Sequence, residues 1–155
     1  MKPCLLTILF LSLSNLSWAF DIRGAWYGSC TYNGQTAESF LNVSQNGKSI
    51  NLGDQEYSRT YLLGTTQSAH SEGVNDDVTW RELKIYHWQW SEDKTMILMN
   101  SDWLGWNVDQ GGTWSGRSRG HIKKVGEQLE IKHDYQLNFD NSSMRIVEIC
   151  HYDKE

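Results

Sequence analysis

The chain has 155 residues, with 14 Lys and Arg against 19 Asp and Glu, for a formal net charge of −5. An acidic balance with no run of like charge argues against nucleic acid and against anionic lipid surfaces, since both call for clustered cations. The length suits a single domain around one core.

Met1-Lys2 supplies a short positive start, Leu5 to Leu13 an apolar stretch, and Ser17-Trp18-Ala19 the small residues a signal peptidase reads. This predicts an export signal over residues 1–19 and one domain over 20–155. The apolar stretch is shorter than the roughly 20 residues a membrane span needs. The expected product is therefore secreted or periplasmic, with no membrane insertion after the signal is removed. Cys4 precedes the apolar stretch and leaves with the signal, so Cys30 and Cys150 remain. In an oxidising compartment such a pair is most simply a disulfide, the alternatives being two free thiols or an intermolecular bridge.

From Gly24 onward strand signals dominate. The first strand carries Trp26 and Cys30 and ends at Asn33-Gly34, a dipeptide suited to a tight hairpin because both central residues of a type I′ turn need positive φ. Thr36 to Gln45 is the second strand, closed by Asn46-Gly47; Ile50 and Leu52 alternate with polar neighbours in a third; Glu56 to Leu63 is the fourth. Gly64 to Asp77 (GTTQSAHSEGVNDD) is long, polar and aperiodic, and reads as a loop that is either functional or disordered.

Val78 to Trp90 returns to strand composition, Ser91 to Lys94 turns, and Thr95 to Trp106 comes back. Asn107 to Gly112 turns again, and Thr113 to Lys124 is a strand whose Gly116 and Gly120 suggest bends or bulges. After Gly126-Glu127, Gln128 to Phe139 alternates cleanly, with Leu129, Ile131, His133, Tyr135, Leu137 and Phe139 on one face. Asp140 to Ser142 turns the chain into a last strand, Met144 to Tyr152.

The fold class is thus all-β, a single antiparallel up-and-down β-barrel of about 8–9 strands. Cys30 lies in the first strand and Cys150 in the last. Bridging them requires Cα atoms within about 7 Å, which a meander achieves when the sheet closes on itself. A β-sandwich with its terminal strands facing one another is the alternative.

Gly24-Ala25-Trp26 at the head of the first strand resembles the Gly-x-Trp signature of the calycin barrels, the lipocalins, fatty-acid-binding proteins and avidins. The resemblance implies a barrel with Trp26 plugging its closed end and a basic residue near the last strand, here Arg145, packed over it. His133-Asp134-Tyr135 is similar to a lipocalin loop motif but falls in a strand, and Gly28 replaces the polar residue avidins carry after their first tryptophan. Biotin binding is accordingly not carried over. The small exported lysozyme inhibitors are also stapled barrels, yet no loop here matches their inhibitory motif.

The sequence holds eight tryptophans, more than a core of this size ordinarily uses. Tyr86, Trp88 and Trp90 share one face of a strand, with Trp103, Trp106 and Trp114 on the elements that follow. Two readings compete: core packing, and a stacking platform for a sugar ring or another flat ligand. On the second, Tyr86, Trp88, Trp90 and Trp106 are the expected lining residues of a barrel mouth, and the Gly64 to Asp77 loop could cover it.

The five histidines show no His-x-His or His-x-x-x-His pair, and His133, on its apolar face, reads as an inward histidine with a satisfied hydrogen bond. Glu72, Asp76 and Asp77 lack the regular spacing of a calcium loop. No metal site or cofactor is expected; Gly116 to Gly120 (GRSRG) spells Gly-x-Ser-x-Gly, but inside the strand Thr113 to Lys124 and not on a strand-to-helix elbow, and no phosphate-cradling loop is present, so no catalytic residue is named. Asn42 and Asn141 head glycosylation triplets that matter only in a host that uses them. The leading functional expectation is a small exported binding protein for an apolar or ring-shaped small molecule. A protein-binding module, such as an inhibitor of an extracytoplasmic enzyme, is the alternative, and an enzyme of unknown class is third.

Overall fold

The computed structural model describes residues 20–54, 56–75 and 78–155. The expected signal, residues 1–19, lies outside them, as do Asp76 and Asp77. Ten strands follow one another: β1 (Gly24–Tyr32), β2 (Gln35–Gln45), β3 (Ser49–Gly53), β4 (Ser58–Leu62), β5 (Thr65–Asn75), β6 (Val78–Trp90), β7 (Met96–Asn107), β8 (Thr113–Val125), β9 (Gln128–Phe139) and β10 (Ser142–Lys154). They form one antiparallel sheet in the order β4-β3-β2-β1-β10-β9-β8-β7-β6-β5. First and last strands are neighbours inside the sheet, with Cys30 directly opposite Cys150 in register and bonded to it. The result is a single sheet curled nearly into a tube, as the cysteine argument required, rather than a sandwich.

The strand count departs from the expected eight or nine because most of the stretch expected as a loop, Thr65 to Asn75, is a strand. Thr65 to Asn75 pairs residue for residue with β6, from Thr65 opposite Trp88 to Asn75 opposite Val78. Its lumen positions are Thr65, Gln67, Ala69, Ser71 and Gly73, small or polar residues set beside the bulky lumen side chains of β6. An edge strand facing large neighbours needs room more than apolar surface, and that is why hydrophobic alternation is missing.

Turn chemistry fixes the hairpins. Asn33 and Gly34 both take positive φ, 47° and 78°, as the β1–β2 turn requires. Gly116 and Gly120 do not mark bulges: both sit in an unbroken β8–β9 ladder. A Cβ at Gly120 would stand 2.2 Å from the Lys132 carbonyl oxygen, so the residue permits close backbone approach.

Sheet edges β4 and β5 are consecutive in the chain and meet only at their shared end. The Gly64 N–H donates to the Trp88 carbonyl (2.6 Å) and the Leu63 N–H to that of Lys48 (2.8 Å), with one isolated bridge between Leu63 and Trp88. From there the two strands run apart. Side chains stopper this seam: Tyr61 of β4 stacks on Trp88 at 3.7 Å, and the Arg59 guanidinium lies over the Tyr86 ring at 4.4 Å.

One half of the lumen is solid. Trp26, Ile50, Ile97, Met99, Ile122 and Leu129 are fully buried there together with Ile22, and each such side chain stabilises by about 1.5–3 kcal/mol relative to exposure. The segment before β1 plugs this end. Phe20 packs edge-on against Trp90 at 5.3 Å, the Ile22 carbonyl accepts from Trp26 Nε1 at 2.8 Å, and Gln45 donates to the Phe20 carbonyl at 3.2 Å. Trp26 thus sits in the closed end. The cation over its ring is Lys154, 5.8 Å away and opposite it in the β1–β10 register, rather than the Arg145 the lipocalin resemblance implied. Arg145 has a largely exposed side chain and pairs with Asp134, because its position on β10 alternates outward.

Candidate functional site

Pleat alternation decides which side chains reach the other, open half of the lumen. On β6 the inward positions are Trp80, Glu82, Lys84, Tyr86, Trp88 and Trp90; on β7 they include Ser101, Trp103 and Gly105; on β8, Trp114, Gly116 and Ser118. Three indoles on this face lie against the wall in the same way. Trp103 covers Gly116, its ladder partner, and Trp114 covers Gly105, also its partner. Trp80 covers its partner Gly73 on β5. A Cβ at Gly105 would stand 2.0 Å from Trp114 Cε2, one at Gly116 2.4 Å from Trp103 Cε2, and one at Gly73 2.8 Å from Trp80 Cε2. Each ring occupies the space a side chain would take. A ring flattened on the wall turns its other face to the lumen, and all three tryptophans remain partly exposed.

Polar groups are set among the rings. Lys84 Nζ and a Glu82 carboxylate oxygen are 2.7 Å apart, with side chains 37% and 13% exposed. Deeper, Ser118 Oγ and His133 Nδ1 are within hydrogen-bond distance at 3.3 Å. Burial, with His121 as a second influence, pushes the imidazole pKa down to about 4, so it is neutral at pH 7. Tyr135 stacks on His133 at 5.2 Å and donates to Glu148 at 3.3 Å. Burial first and the Glu148 carboxylate second hold that phenol well above its usual range, so Tyr135 is a donor at any ordinary pH. The disulfide faces the same space, below Glu148 on β10.

The β3–β4 hairpin is short and stops partway up the wall, because these strands have five residues each where their neighbours β2 and β5 have eleven. A cleft of about 600 Å³ opens there, lined by Ser39, Leu41, Leu52, Arg59 and Tyr152 on lumen-facing positions together with Phe40 of β2 and Gly53, Asp54, Tyr57 and Ser58 at the rim of the hairpin. The Tyr152 hydroxyl bonds to Ser39 Oγ at 3.0 Å at its edge.

Of the four expected lining residues, three share the lumen face. Tyr86 and Trp88 are buried at the boundary between the solid and open halves, and Trp90 lies in the solid half against Phe20. Trp88 Nε1 is a buried donor without a hydrogen-bond partner among the described residues. Trp106 alternates to the outer face, where it meets His70 at 6.3 Å, and is not brought together with the others. Trp103 and Trp106, three apart, cannot share a strand face. The lumen residues that composition alone did not single out are Trp80, Glu82 and Lys84, along with the wall role of Trp103 and Trp114. The signal was present as two Trp-x-Gly triplets, Trp103-Leu104-Gly105 and Trp114-Ser115-Gly116, which antiparallel pairing sets in mutual register.

No described side chains gather into a plausible metal site: the one cluster of potential ligands, Cys30, Cys150 and Glu148, has both its sulfurs in the disulfide. No helix among the described residues is long and apolar enough to cross a membrane. No protein-family model matches the chain, and no curated protein matches its sequence. The nearly closed antiparallel architecture is compatible with a calycin-like form.

Proposed function

We propose that this is an exported, calycin-like binding protein that holds a small ring-bearing molecule in the open half of its lumen, without performing chemistry on it. The observation that carries the reading is the flattening of Trp80, Trp103 and Trp114 over glycines. A core filled for stability would place bulky side chains across the lumen. These lie along its wall instead and leave ring faces available for stacking, which is worth about 0.5–1.5 kcal/mol per aromatic pair beyond area burial. The polar groups between them can orient a ligand in the manner of small-molecule sites. Export accords with a disulfide, since such bonds persist in oxidising compartments.

Titration of the purified protein with pools of lipids, sugars and flat aromatic compounds, read by tryptophan emission, tests the reading. Saturable quenching or a spectral shift with one pool is expected. Silence with every pool would overturn it.

A second reading, the protein-binding module, has its own observation. Leu83, Ile85 and Leu104 are 38%, 43% and 49% exposed on the outer face of β6 and β7, with Trp106 nearby. Contiguous exposed apolar surface marks protein contacts. Capture of one stoichiometric partner that is lost in Leu83→Glu or Leu104→Glu, with lumen titrations silent, would favour it over the first.

A further inference from the structure

We propose that the ligand is an uncharged saccharide, with a sugar ring on the lumen tryptophans and its hydroxyls shared between Glu82 and Lys84; this rests on the lumen-binding reading above. Glu82 and Lys84 are consecutive lumen positions of β6 joined at 2.7 Å. In the ladders Glu82 stands opposite Gly105, the glycine beneath Trp114, and Lys84 stands opposite Trp103. Trp80 is the next lumen position of β6 beyond Glu82. One carboxylate–ammonium pair is therefore bordered by three indoles.

Charge, hydrogen bonding and shape together choose the ligand class. The charged lumen side chains of the open half are Glu82, Lys84, Glu148 and Arg59, two of each sign, and His133 is neutral at pH 7. A charged ligand seated between Glu82 and Lys84 would divide that pair and leave one member uncompensated in a partly buried setting, which is strongly unfavourable. An acyl chain or bare aromatic hydrocarbon would desolvate both charges and return no hydrogen bond. Sugar hydroxyls each donate and accept, so two neighbouring ones can satisfy the carboxylate lone pairs and the ammonium protons together. The C–H face of the same ring packs on an indole, whose π-face carries negative charge density.

The test uses the purified protein and three kinds of probe read by tryptophan emission: neutral trisaccharides (maltotriose, cellotriose, chitotriose), their charged counterparts (trigalacturonate, chitosan trimer), and the neutral apolar dye phenylnaphthylamine. At least one neutral trisaccharide should bind saturably, and the charged ones at least about tenfold more weakly, the scale of one unsatisfied charged hydrogen bond. Glu82→Gln and Lys84→Met should each weaken the sugar by about tenfold or more without weakening the dye. Dye binding without any trisaccharide binding, or sugar binding indifferent to both substitutions, overturns the saccharide assignment and leaves the lumen reading standing. If neither dye nor sugar binds, both fall. The comparison of neutral with charged sugars is made on the unaltered protein, so it decides the matter even where a variant fails to fold.

Discussion

Trp103 of β7 lies flat across Gly116 of β8, while Trp114 of β8 lies across Gly105 of β7, so two indoles and two glycines interlock on one patch of wall. Gly116→Val would put branched carbon where the Trp103 ring now rests. The ring must lift into the lumen, at a cost of about 1–3 kcal/mol typical of overpacking. Near-ultraviolet circular dichroism should change, urea midpoints should fall, and any lumen ligand should lose affinity. An unaltered aromatic spectrum would show that the ring does not depend on that glycine.

Cys30 and Cys150 are separated by 120 positions in the chain and bonded across β1 and β10. Replacing both by Ala should destabilise the fold by about 4–5 kcal/mol on the loop-entropy model. Urea denaturation of the variant and of the parent, with and without reductant, measures it. A loss below about 1 kcal/mol would mean that the reduced chain keeps its ends together by other means.

His133 gives acid sensitivity with a definite sign. Its folded pKa is about 4, below the ordinary 6.5, so the unfolded chain binds the extra proton between those values. Stability from this group is complete above pH 6.5 and falls away as the pH drops towards 4, by a total on the order of 3 kcal/mol. His133→Gln should flatten the urea midpoint between pH 7 and 4 relative to the parent. Equal slopes for the two proteins would contradict the assignment.

The seam between β4 and β5 depends on Tyr61, whose ring is parallel to that of Trp88 within 3°. Tyr61→Ala should cost about 1–3 kcal/mol, less than a fully buried aromatic because the residue is only partly buried. Its more specific effect is local: Trp88 becomes open to solvent. Red-shifted emission, stronger acrylamide quenching and faster amide exchange in Thr65 to Gln67 are the expected readouts, with the rest of the exchange map little changed.

Much of the fold was legible because it rests on local rules. Asn33-Gly34 announced its turn, the alternation from Leu129 to Phe139 announced both strand and inward face, and two cysteines in the terminal strands announced closure. Thr65 to Asn75 escaped because its strand character is borrowed: β6 supplies the bulk and β5 only the hydrogen bonds and the space. The candidate site was half visible. Tyr86, Trp88 and Trp90 share a face by simple alternation, yet depth along the tube, which puts Trp90 in the solid half, is a property of pairing register. Glu82 and Lys84 look like ordinary surface charge until the parity of β6 turns them inward.

A sheet whose first and last strands are neighbours in its interior cannot be completed piece by piece. β1 must wait with one flank bare until every other strand has been made and delivered, since only β10 can cover it. Loss of the last dozen residues would therefore expose two further edges at once, at β1 and at β9, and leave Cys30 without its mate.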